Sequence, residues 1–134
     1  MPLVRIDVLE GRSESDLAAI GAAVHRALTE CFGVPQRDRF QLLTEHRKGR
    51  LTYDPGYLGV DRSDAIAFVQ VVLSTGRSAE QKTAFYARTA ALIAEGAHMR
   101  PQDVTIILIE NTRGDWSFGN GVAQYLTLPS DQWK

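Results

Sequence analysis

Cysteine is almost absent: the single Cys31 excludes an internal disulfide and fits a reducing compartment. It follows Leu28 by three on an apolar stripe, where a core thiol is expected and not a nucleophile. No run of about 18 apolar residues is present to span a membrane. The amino terminus has no basic stretch leading into an apolar one, so no signal peptide is expected and the cytoplasm is the default location. An excess of either charge is also lacking. With 15 Lys and Arg against 16 Asp and Glu, the formal net charge is −1, which gives no field to attract nucleic acid or an anionic membrane. The one basic cluster, His46-Arg47-Lys48-Gly49-Arg50, has no interleaved aromatics and reads as a solvated loop.

Site motifs of the familiar kinds are missing as well. His25, His46 and His98 are not at metal-ligand spacing and no Cys or Glu completes a zinc set, so neither a metal nor a cofactor is expected. His25, at the edge of an apolar stripe, reads as a boundary residue. No Gly-x-Ser-x-Gly elbow or phosphate-binding loop occurs. Gly119-Asn120-Gly121 lacks the third glycine of a dinucleotide fingerprint and is expected to be a tight turn in a C-terminal hairpin.

What is there is one domain of 134 residues, 44% hydrophobic, that repeats itself. Gly11-Arg12-Ser13 recurs as Gly76-Arg77-Ser78, and the proline of Val34-Pro35-Gln36-Arg37-Asp38 recurs in Arg100-Pro101-Gln102-Asp103. The repeats cover about 2–45 and 66–110, and each reads strand, helix, strand. Ser13-x-x-Asp16 and Ser78-x-x-Gln81 predict helix starts. The first helix carries a stripe of Leu17, Ile20, Val24, Leu28, Cys31 and Phe32; the second presents Phe85, Tyr86, Ala90, Leu92 and Ile93. Gly33 and Gly96 stand where helix C-caps are expected. Tyr53-Asp54-Pro55-Gly56-Tyr57 signals a turn in the long connection between the halves.

Two such units side by side predict an α+β fold, a tandem β-α-β repeat forming a four-stranded mixed sheet with both helices on one face. The runs Ile66–Leu73 and Val104–Ile109 are nearly all apolar, as strands covered on both faces are. A bare second face conflicts with that pattern, and self-association resolves the conflict.

Pro2 opens the strand-like run Pro2-Leu3-Val4-Arg5-Ile6-Asp7-Val8 directly behind Met1. Removal of Met1, expected before so small a residue, leaves a free secondary amine. An α-amino group has a pKa of about 7.7–8.0, so it can take or give a proton near neutral pH or add to a carbonyl. Taken alone, Pro2 reads first as a proline at a strand's first position, where its missing N–H is harmless.

With the duplicated β-α-β unit and an implied oligomer, this terminal proline resembles the tautomerase superfamily, whose members use an amino-terminal proline on the first strand and commonly assemble as trimers. Gly33-Val34-Pro35-Gln36-Arg37-Asp38-Arg39-Phe40 and Asp115-Trp116-Ser117-Phe118-Gly119 resemble the branch containing malonate semialdehyde decarboxylases. The resemblance implies a catalytic role for Pro2, Asp38 and Arg77, with Arg77, Trp116, Phe118 and Tyr125 contacting the substrate. In that branch two arginines lie close together after the third strand; here Ser74-Thr75-Gly76-Arg77 supplies one.

These residues imply a small oxo acid, held through its carboxylate by Arg77, with its α-carbon near the Pro2 nitrogen. A neutral Pro2 would move the α-proton between keto and enol forms; a protonated one would polarise the carbonyl or, with Asp38, activate water; an iminium would favour loss of carbon dioxide. Keto-enol tautomerisation by a homotrimer is the first expectation. A decarboxylase or hydratase is the alternative, and a non-catalytic oligomeric binding protein is a third reading.

Overall fold

In a computed structural model, which describes residues 2–133, the two halves of the chain take the same course. The first comprises β1 (Pro2–Leu9), α1 (Glu14–Phe32) and β2 (Phe40–His46); the second comprises β3 (Ala67–Ser74), α2 (Ala79–Ala97) and β4 (Val104–Asn111). The expected removal of Met1 lies outside the described residues. Each helix returns the chain so that the strands flanking it pair parallel, β1 with β2 and β3 with β4. The halves meet through the antiparallel pair β1–β3, giving the order β2-β1-β3-β4 and the mixed sheet expected.

Local chemistry sets the helix ends. Ser13 caps α1 by accepting the Asp16 N–H at 3.1 Å. Ser78 and Gln81 form a reciprocal capping box on α2, at 3.1 and 2.9 Å. The glycine two residues before each cap, Gly11 at φ 116° and Gly76 at φ 124°, makes the strand-to-helix turn in a conformation that L side chains rarely adopt. Gly33 ends α1 in the left-handed region, with its N–H on the Thr29 carbonyl and that of Val34 on Leu28. The expectation for Gly96 is corrected: it lies inside α2, close to the Ala19 methyl of α1, and His98 takes the left-handed cap at φ 54°.

One face of the sheet carries both helices and the core. Val4, Ile6 and Val8 of β1 and Val69, Val71 and Leu73 of β3 pack there against Ile20, Val24, Leu28, Phe85 and Ile93. Cys31 is only partly buried at the edge of this core, where burial raises its thiol pKa. Tyr86, expected on the apolar face of α2, is exposed, and Thr89 is buried in its place. His46 is corrected too: it ends β2 and bonds Asp7 Oδ1 at 2.6 Å, because the parallel register sets it beside β1. After β4 no hairpin forms among the described residues. Gly119-Asn120-Gly121 turns the chain into a short helix, α3 (Gln124–Thr127).

The helix-free face is more mixed than the sequence suggests. Across it, Phe40, Leu3, Val72 and Ile109 form one apolar row, while the next row is Leu42, Arg5, Gln70 and Ile107. No helix among the described residues is long and apolar enough to cross a membrane.

Candidate active site

The strand directions gather the candidate residues. With β1 and β2 parallel and β3 and β4 running against them, the starts of the first pair and the ends of the second share one edge of the sheet. Pro2 begins β1 there, buried, opposite Leu73 and one position from Ser74. On its other side Leu3 faces Phe40, so the residues just before β2, including Asp38, flank Pro2. A turn closed by the Asp38 N–H on the Pro35 carbonyl at 3.0 Å sets the aspartate. The same turn is pinned by His25, whose Nε2–H donates to the Gln36 carbonyl at 2.9 Å. His25 is 3% exposed, so it is an interior residue and not the boundary residue expected. Burial raises the Asp38 carboxyl above its ordinary value, against the opposing pull of nearby cations that include Arg77.

Beside this edge is a cavity of about 400 Å³, lined by Asp38, Ser74, Arg77, Gln81, Arg113 and Tyr125 among others. Arg77, in the turn after β3, is half buried; its Nη1 donates to the Ser74 carbonyl at 2.6 Å and its guanidinium lies 5.4 Å from the Phe32 ring centroid. Burial lowers its pKa, but a guanidinium keeps its proton throughout the biological range. Its repeat mate Arg12 has a separate task, donating to the Ala65 carbonyl ahead of β3. Tyr125 in α3 meets the rings of Phe118 and Trp133 edge-on, at 5.0 and 4.9 Å. Burial, with the Asp38 charge, pushes its phenol up to about 12, so it is a neutral donor at pH 7.

The aromatic residues divide. Phe118 lines a second cavity of about 250 Å³ together with Phe40, Leu128 and Trp133. Trp116 lines neither cavity; it stacks behind Phe118 at 5.7 Å and donates its indole N–H to Asn111 at 2.9 Å. Asp38, Arg77 and Tyr125 are thus brought to one cavity and Phe118 to its neighbour, with Pro2 at the adjoining end of the sheet. Trp116 supports the wall and does not face either space.

Sequence reasoning misses Arg113. It stands in the short 3-10 turn Arg113–Asp115 after β4 and supplies a second guanidinium, 4.5 Å from the Trp133 ring centroid. The turn is built by Asp115, whose Oδ2 accepts the Thr112 N–H and hydroxyl at 2.8 and 2.9 Å. Thr112-x-x-Asp115 is a capping pattern and the one local signal that a turn places Arg113 there. Among the described residues, no three His, Cys, Asp or Glu side chains gather into a metal set.

Comparison with known proteins gives the family and the fold. Two family models, both described as tautomerase enzyme, match residues 2–60 and 38–119. "Probable tautomerase YusQ" of Bacillus subtilis (strain 168) is 39% identical over 126 residues, covering 94% of this chain and 99% of its own. A solved malonate semialdehyde decarboxylase is 36% identical, covers 93% of this chain and 96% of its own, and superposes with a TM-score of 0.88. A trimeric fused 4-OT, 23% identical over 93% of this chain and 98% of its own, shares the fold with a TM-score of 0.76. The chain belongs to the tautomerase superfamily, in its malonate semialdehyde decarboxylase-like branch.

Proposed function

We propose that this protein interconverts keto and enol forms of small oxo acids, with the secondary amine of an amino-terminal Pro2 as the proton carrier. The observation that carries the reading is the convergence of Arg77, Arg113, Asp38 and Tyr125 on one cavity at the sheet edge where Pro2 begins β1. Two guanidiniums hold the substrate carboxylate by charge-assisted hydrogen bonds. The neutral Tyr125 hydroxyl donates to the carbonyl oxygen, where negative charge develops as the α-proton leaves. Pro2 takes that proton and returns it to the other carbon of the enol system. Asp38 and Arg77 act in opposite senses on the amine, the carboxylate favouring its protonated form and the guanidinium its neutral form.

Phenylenolpyruvate tests the proposal, its ketonisation followed by the loss of enol absorbance. Pro2→Ala is expected to lower kcat by about a hundredfold or more, the range of general acid–base catalysis. Intact mass supplies the second arm. Native protein that keeps Met1 has no free Pro2 amine, and the mechanism is then wrong.

Decarboxylation or hydration is a second reading, favoured by the place of Asp38 on the cavity wall and by 36% identity to a malonate semialdehyde decarboxylase. Carbon dioxide release from malonate semialdehyde that Asp38→Asn stops, while ketonisation survives, selects it. A binding protein without catalysis is what remains if both reactions fail. We infer in addition that the chain assembles as a homotrimer, as the fused 4-OT of the same fold does. The row Phe40, Leu3, Val72 and Ile109 on the helix-free face supports this, and catalysis is expected in the cytoplasm.

A further inference from the structure

We propose that Ser74 is a positioning residue for the Pro2 amine: its hydroxyl oxygen accepts an N–H of the amine and so turns the nitrogen lone pair toward the cavity. The assignment rests on the function proposed above, because only a chain that begins at Pro2 has that N–H.

Ser74 is 8% exposed, and its Oγ has no hydrogen-bond partner among the described residues. A buried hydroxyl without a partner costs stability, so a chain that keeps one calls for a reason. Thr89 is the other hydroxyl so placed, but it stands in α2 and lines neither cavity. Ser74 lines the cationic cavity with Arg77 and Arg113. Its backbone is held on both sides. The Ser74 carbonyl accepts Arg77 Nη1 at 2.6 Å, and the N–H of Thr75 donates to the Asn111 carbonyl at 2.8 Å. What stays free is rotation of the side chain.

The register supplies the partner. Pro2 faces Leu73 across the antiparallel pair, and Ser74 is the next residue of β3. Because the two strands run in opposite senses, the Pro2 nitrogen, at the very start of β1, lies on the Ser74 side of its own Cα. Opposed Cα atoms in such a pair are about 4.5–5.5 Å apart, which brings the nitrogen within reach of a serine hydroxyl. A proline nitrogen freed of its peptide bond carries one N–H when neutral and two when protonated. The neutral nitrogen inverts, and its lone pair meets the substrate in one of the two arrangements. An N–H held by Ser74 selects that arrangement. The same bond is stronger to the charged amine, so Ser74 also favours the protonated form.

Other groups act on the amine from every side: Asp38 before β2, with His25 of α1 behind its turn, Arg77 after β3, Arg113 after β4 and Tyr125 in α3. They are unchanged in a Ser74 variant, so comparison with wild type removes them. Protein carrying isotope-labelled proline nitrogen gives the test by magnetic resonance, since the free amine titrates and the other prolines, as amides, do not. Ser74→Ala is expected to move the midpoint of Pro2 down by about half to one pH unit, and Ser74→Thr to restore it. Ketonisation of phenylenolpyruvate by Ser74→Ala should lose about tenfold or more in kcat, with KM within about twofold. Thermal melting should be no lower than wild type, because the hydroxyl removed has no partner. Ser74→Cys, similar in size and a far weaker acceptor, is read in the same way if Ser74→Ala does not fold. A midpoint that stays or rises in a folded variant, a raised KM with kcat intact, or a lowered melting point overturns the proposal. The absence of any titrating proline overturns it together with the function proposed above. A titrating Pro2 that responds to Ser74→Ala without ketonisation in wild type removes that function and leaves Ser74 at the amine.

Discussion

A carboxylate that is 1% exposed holds its charge only where donors replace water, and Asp103 has them. It accepts the Ser63 N–H at 2.6 Å, the Ser63 hydroxyl at 2.8 Å and Arg100 Nε at 3.3 Å, tying the loop before β3 to the start of β4. Burial works against its charge, but these bonds outweigh it and hold the pKa below the ordinary 3.8. A depressed folded value means stability that is fully present above 3.8 and lost as pH falls through the lower folded value. Asp103→Ala is expected to cost about 2–3 kcal/mol at pH 7, since it also strands the Ser63 donors. Urea melts should show the gap from wild type shrinking as pH falls below 3.8. At the site, Arg113→Met is expected to raise KM for an oxo acid about tenfold to a hundredfold, the loss of one charged hydrogen-bonding group, with kcat changed far less. An unchanged KM removes Arg113 from carboxylate binding. Neither residue is legible in the sequence. Asp103 echoes the first half's Pro-Gln-Arg-Asp, yet its partner lies 40 positions away, and Arg113 reaches Arg77 only once β3 and β4 pair.

Helix boundaries, in contrast, are legible because they are written within a few residues. Ser13 and Ser78 cap in the sequence as in the structure, since a cap needs only a short side-chain oxygen and an N–H three residues on. Ser78→Ala is expected to destabilise by about 1 kcal/mol, read from a thermal melt. For Asp38 and Arg77 the sequence announces only the place, just before β2 and just after β3, and their expected roles come from the family resemblance. The second helix's end is where local reading fails. Gly96 looks like a cap but lies within α2, facing Ala19 of α1, a neighbour that no short window contains. His98 takes the left-handed position with its side chain 85% exposed. His98→Gly relieves roughly 1–2 kcal/mol of steric cost and returns about 0.5–1 kcal/mol through a freer unfolded chain. A net gain of about 0.5–1 kcal/mol is expected from the same melts, and a loss would mean that the His98–Asp16 contact matters more than the backbone.

On the scale of the whole molecule, the sheet has one face buried by helices and one that holds Phe40 and Ile107 at 47% and 56% exposure. The bare face is foreseeable from strands too apolar for a single covered side, but the arrangement of its polar residues is not, because Arg5 and Gln70 become neighbours only through the antiparallel register. That register leaves the apolar row at the site edge and the charged positions farther along β1, so an interface built on this face is driven mainly by Phe40, Leu3, Val72 and Ile109. Phe40 also walls the aromatic cavity. Sedimentation is expected to return three times the 14.8 kDa of one chain. Val72→Glu places a charge in the middle of the row, where an interface leaves it desolvated and unpaired, yet its side chain points away from the helix-covered core. The variant should sediment as a 14.8 kDa monomer with its helical circular dichroism retained. A trimer that survives Val72→Glu would move the interface off this face, and a monomeric wild type would remove it altogether.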